Sequence, residues 1–324
     1  MDIKKLYAIC SQGNVLKGIE YIKSFKNGGN DIDKLEKQYV ERFISNDEVY
    51  EIDSEDPWII AVISAYYLYF RSVLTNNSIK DSEIKLMEDL SKLVIVNGKI
   101  SLDKIEMELE NIFREKGFSF LGGVTPPYRG PYIWKTTLKK DFNVSLPNSV
   151  EKVSVYFISD FLMLSWQHFA TFGKHHSGAW AKAEGLYYVD TGNELVDINS
   201  TKFQIWFLKH EAQHLSDYKK FPNLDPKNLE YRAKLIEIIY HPNPYELIEK
   251  FLLRACNNKK LPHPYAEYII IKQLSSLIFN QEYIVDRKQW SSVETKLLSN
   301  VAMELLLHNN KELYEAGSKT DGII

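Results

Sequence analysis

Apolar positions spaced i, i+3, i+4 and i+7 recur through the first third of the chain. They predict helices around residues 2–26, 31–45, 56–74, 81–94 and 101–116, separated by Gly-, Asn- and Asp-rich breaks. No fixed-period repeat links them, so they do not read as a solenoid. Trp58 to Phe70 is apolar but too short to span a bilayer, and reads as a buried helix. The pattern changes at Gly122-Gly123-Val124-Thr125-Pro126-Pro127. Beyond it Trp134 to Leu146 and Lys152 to Ile158 alternate or carry β-branched residues, as strands do. Gly185 to Asp190 reads as another short strand. Residues 243–318 return to helical spacing, with prolines at 242–244 and 262–264 as punctuation. The expected class is α+β, predominantly helical. A helical N-terminal region covers 1–121, and a second domain covers 122–324 with a small sheet and a helical C-terminal extension.

One helix carries chemistry as well as pattern. Thr201 and Gln204 have capping-box spacing. Phe203, Phe207, His210, His214 and Asp217 then fall on one stripe, so the two histidines continue an apolar face and point inward. They belong to His210-Glu211-Ala212-Gln213-His214, an H-E-x-x-H motif. Imidazoles at i and i+4 share a helix face and can bind one metal ion. Glu211 between them is the candidate general base for a metal-bound water. Phe221-Pro222-Asn223 then makes a turn, and Asp225-Pro226 reads as an N-cap with proline at the first helical position. The new helix runs through Leu229 to Ile236 and should end near His241-Pro242. In its first turn Glu230 can complete a His2Glu site, with the fourth position left for water. Ala233, one turn on, is small enough to let the two helices approach closely. Glu237, on the same face as Glu230, is a rival ligand. Asp217 is expected to accept a bond from an imidazole N–H.

Composition narrows the classes. The chain has 324 residues and a net charge of −3, and no basic stripe argues for nucleic acid. Its two cysteines, Cys10 and Cys256, form neither a disulfide framework nor a metal-binding spacing. The N-terminal residues lack the apolar run of a signal peptide, and the expected location is the cytoplasm.

At this point the chain resembles the zincin metallopeptidases, in particular the gluzincin type, over about residues 130–240. The specific part is H-E-x-x-H on one helix and a Glu on the next. The resemblance implies zinc on His210, His214 and Glu230, Glu211 as general base, and peptide or protein as substrate. It also implies a core of small mixed sheet, H-E-x-x-H helix and Glu helix, in the order seen here. The sequence departs from two well-known branches. The second helix lacks Asn-Glu-x-x-Ser-Asp, and no Gly-x-Met-Glu-Asn segment occurs. In a zincin the stretch Trp166 to Trp180 falls near the substrate-facing edge strand. Its His175 and His176 are therefore candidates to stabilise an oxyanion. Tyr231 and Arg232 are further candidates, although helical geometry lets at most one of them face the metal. Tyr128-Arg129 could line a cleft. His241, His263 and His308 read as helix-end or helix-surface residues with no site role. A second reading is a helical interaction or regulatory protein with a non-catalytic core of this kind. A deformylase-like site would need an upstream Glu-Gly-Cys segment, which the chain does not have.

Overall fold

The computed structural model describes residues 1–25, 29–45, 50–95, 98–182, 184–192, 196–317 and 319–324. Residues 26 and 318, the ends of two expected helical stretches, lie outside them. The fold is α+β and mostly helical. The chain forms two compact units, neither continuous in sequence. The first comprises Met1–Leu138, Ile158–Gly178 and Val189–Gly192, and the second Lys139–Phe157, Ala179–Tyr188 and Asn193–Ile324. The expected break at 121/122 falls inside the first.

Six helices open the first unit: α1 (Ile3–Cys10), α2 (Val15–Lys23), α3 (Asn30–Phe43), α4 (Pro57–Leu74), α5 (Ile79–Leu90) and α6 (Leu102–Glu115). Asp2, Asp56, Ser78 and Ser101 cap four of them by accepting backbone N–H bonds, as short polar side chains do at this position. The helix expected over 2–26 is two helices. Gly13 turns the chain between them at φ 83°, and a Cβ there would lie 2.8 Å from the Tyr128 ring. Leu6, Ile63, Tyr66, Phe70, Leu109 and Phe113 form the centre of this unit's core. By length and composition α4 is long and apolar enough to cross a membrane, more than its sequence reading allowed; half of it is buried in that core.

Strands follow: β1 (Ser119–Leu121), β2 (Val124–Thr125), β3 (Tyr128–Arg129), β4 (Tyr132–Leu146) and β5 (Ser149–Leu164). After α7 (Ser165–Ala170) come β6 (Ala179–Lys182) and β7 (Gly185–Val189). Five of them make a sheet in the order β1-β4-β5-β7-β6, while β2 and β3 pair separately. The β1–β4 register sets Phe120 opposite Ile133, and β6–β7 sets Trp180 opposite Tyr187.

The second unit is dominated by helices. A continuous helix starts at Thr201. Its Lys202–Lys209 stretch is wound as a π-helix and leads into α8 (His210–Lys220). Then come α9 (Pro226–Tyr240), α10 (Tyr245–Arg254), α11 (Pro262–Phe279), α12 (Arg287–Ser291) and α13 (Thr295–Ala316). Packed against α8, α11 and α13, α9 is buried nearly all round. Phe203, Phe207, Ala212, Leu235, Ile236, Ile271 and Leu306 form the surrounding core. The start of α9 is as its sequence requires: Asp225 accepts from the Asn228 N–H and Pro226 occupies the first turn. The start of the His helix differs by one residue. Ser200, not Thr201, accepts from the Phe203 N–H, and the Gln204 side chain donates to the Ile198 carbonyl.

Candidate metal centre

The helix face of α8 brings His210 and His214 together, with Nε2 atoms 3.1 Å apart and rings nearly perpendicular. From the second turn of α9, one turn later than the sequence suggests, Glu230 places Oε1 3.5 Å from His214 Nε2 and Oε2 3.7 Å from His210 Nε2. The donor atoms of all three lie within 4.8 Å of one another. Four donors at about 2.0–2.1 Å around a tetrahedral zinc stand roughly 3.3 Å from each other, close to the separations seen. The donor set therefore fits a small divalent cation of zinc type.

The other imidazole nitrogen decides which nitrogen is free. His210 Nδ1 lies 2.6 Å from Glu237 Oε1. With the proton on Nδ1 and donated to that carboxylate, the Nε2 lone pair faces the cluster. Glu237, a rival ligand by sequence, thus orients one of the candidate ligands. His214 has no such anchor: its Nδ1 is buried and has no hydrogen-bond partner among the described residues.

Asp217 does not bond an imidazole, as the sequence suggested. It takes the Arg232 guanidinium on both oxygens, at 2.8 and 2.9 Å, and accepts from Gln213 Nε2 at 2.8 Å. Arg232 also donates to Asn309 and Asn310 on α13. This buried network clamps α8, α9 and α13 together beside the histidines.

The electrostatics favour a cation. Burial alone would raise the Glu230 carboxyl, but the imidazoles of His214 and His263 set against it, with the charges of His210 and His263, act the other way. The net effect holds it well below the usual carboxylate range. Burial works against a charged His214, yet the adjacent Glu230 carboxylate and the negative charges of Glu211 and Asp217 raise its pKa. Burial, then the same three carboxylates, raises the half-exposed Tyr218. Glu211 itself is half-buried in the first turn of α8. It makes no hydrogen bond or ion pair with any described residue, so its carboxylate oxygens are unengaged by them.

His263 is the residue that the sequence reading passed over. Second in α11 and mostly exposed, it lies with Nδ1 2.7 Å from Glu230 Oε2. Thirty-three positions separate the two, and no local pattern signals the contact.

The remaining candidates lie elsewhere. His175 and His176 belong to the first unit and are not part of the cluster. The backbone of His175 is tied to the Thr171 hydroxyl, and His176 Nδ1 lies 3.1 Å from the Ser177 carbonyl. Tyr231 is buried in the core of the second unit and donates to Gln273 Oε1 at 2.7 Å, so it does not face the cluster. Arg129 is held by Glu106 and Asp103. Compared with known proteins, the chain matches no family, no curated protein and no solved structure.

Proposed function

We propose that this protein is a zinc-dependent hydrolase that cleaves peptide bonds, built on a zincin-like core of gluzincin type. The observation that carries the reading is the convergence of His210, His214 and Glu230 from two packed helices, with an unpaired Glu211 beside them. These three residues would hold the ion. When bound, zinc supplies a polarised water and a Lewis acid for the carbonyl. Glu211 accepts the proton of the attacking water and returns it to the leaving amine. Negative charge growing on the carbonyl oxygen needs an N–H or O–H donor nearby. His263, exposed beside Glu230, takes that role in place of His175, His176 and Tyr231. Glu237 holds His210 in the ligating tautomer throughout.

One observation favours a second reading, a non-catalytic interaction or regulatory protein. His263 offers a fourth donor beside Glu230, and a four-donor closed set is the mark of structural zinc. Two measurements separate the readings. The first is the zinc content per chain by elemental mass spectrometry, on dialysed protein without a histidine tag. The second is a peptide-library assay comparing the wild type with Glu211→Gln. Zinc near one per chain, with turnover that Glu211→Gln abolishes, supports the hydrolase. Zinc without turnover supports the regulatory protein. Protein that takes up no zinc overturns both.

A further inference from the structure

On the flank of α8 away from Glu211, the second unit contains a cavity of about 300 Å³. At about 100° per residue, Lys220 comes round to the side of α8 opposite Glu211. The cavity is walled by α8, α9, α13 and the turn between β4 and β5, and is separate from the His/Glu cluster. Two cationic side chains, Lys220 and Arg232, line it, and among the described residues no carboxylate does. Asp217 is engaged by Arg232 and Gln213, and Glu151 by Lys219.

The donors that remain define the ligand. Lys220 makes no ion pair or hydrogen bond with any described residue, so its ammonium is uncompensated. Arg232 has five N–H groups, and its four bonds to Asp217, Asn309 and Asn310 leave one on Nη1. Asn310 accepts from Arg232 through Oδ1, which leaves its Nδ2 to donate. An ammonium, a guanidinium N–H and an amide N–H, with one net positive charge after Asp217 is counted, suit a small oxyanion. The volume lies at the lower limit of ligand pockets, so the occupant is small. We propose that this cavity binds a small oxyanion, of the size of phosphate or a short dicarboxylate. The site does not depend on the hydrolase reading.

The test is calorimetric titration of the zinc-free protein with inorganic phosphate and, separately, with succinate, at ionic strength fixed by sodium chloride. Saturable binding of at least one anion is expected, and the one that binds tells a tetrahedral oxyanion from a carboxylate. Lys220→Ala should weaken it roughly tenfold or more, the loss of one charge-assisted hydrogen bond, and Lys220→Arg should restore most of it. Circular dichroism checks that each variant is folded. His210→Ala should bind the anion as the wild type does. The proposal is overturned if neither anion binds saturably, if Lys220→Ala binds undiminished, or if His210→Ala abolishes binding, which would place the anion at the histidine cluster.

Discussion

Glu237 Oε1 lies 2.6 Å from His210 Nδ1, and both groups are buried. The bond fixes the tautomer of one histidine of an H-E-x-x-H pair from a helix that also carries the neighbouring carboxylate, Glu230. Removing such an orienting partner weakens metal binding roughly 10- to 100-fold. Glu237→Ala is therefore expected to lower zinc affinity by that factor in a competition with a chromophoric chelator. Glu237→Gln, which retains an acceptor, should lose less. Equal affinity in all three proteins would remove Glu237 from the site.

Glu211 has no hydrogen bond or ion pair with a described residue, so its replacement by the isosteric amide breaks none. Glu211→Gln should keep its zinc and its melting temperature while turnover on any cleaved peptide falls by about a hundredfold or more. Retained turnover would show that another group moves the proton.

The Asp217–Arg232 pair is almost wholly buried. Taking away one partner leaves a charge uncompensated in the interior, at a cost of about 3–5 kcal/mol. Asp217→Asn should lower the unfolding free energy in urea by about that amount. A change below about 0.5 kcal/mol, typical of a surface substitution, would mean that water reaches the pair.

His168 gives a pH dependence in the first unit. Burial, reinforced by the nearby charges of His176 and Arg42, pulls its pKa down to about 4. An unfolded histidine takes a proton near 6.5, so between about pH 6.5 and pH 4 the unfolded chain binds more protons. The stability contribution is complete above that window and is lost as pH falls through it, by up to about 3 kcal/mol. Urea midpoints across this range should drop more steeply for the wild type than for His168→Gln. Parallel curves would place the acid sensitivity on other groups.

What could be read from the sequence was local in origin. Apolar spacing located α3 to α6, and Asp225-Pro226 set the start of α9 because the cap and the proline act on adjacent backbone. The i, i+4 pair and Glu230 were readable because one short turn joins their helices. What escaped was long-range or concealed by a degenerate pattern. His263 meets Glu230 only through the packing of α11 on α9. The stripe from Phe203 to His214 fits an α-helix, so it hides the π winding of Lys202–Lys209. Asp217 looked like a partner for an imidazole because Arg232, fifteen residues on, reaches it only once α9 folds back. Tyr231 was a candidate by adjacency alone, and its partner Gln273 lies on a helix that local spacing cannot position.

α9 is gripped on several sides. Glu237 holds α8, Arg232 holds α8 and α13, and Tyr231 and Lys234 hold Gln273 and Glu267 of α11. A rod fastened in this way can neither slide nor roll without breaking several buried polar contacts at once. Beside the His/Glu cluster the exposed member is His263, on the first turn of α11, while α8 and α9 behave as a fixed anvil.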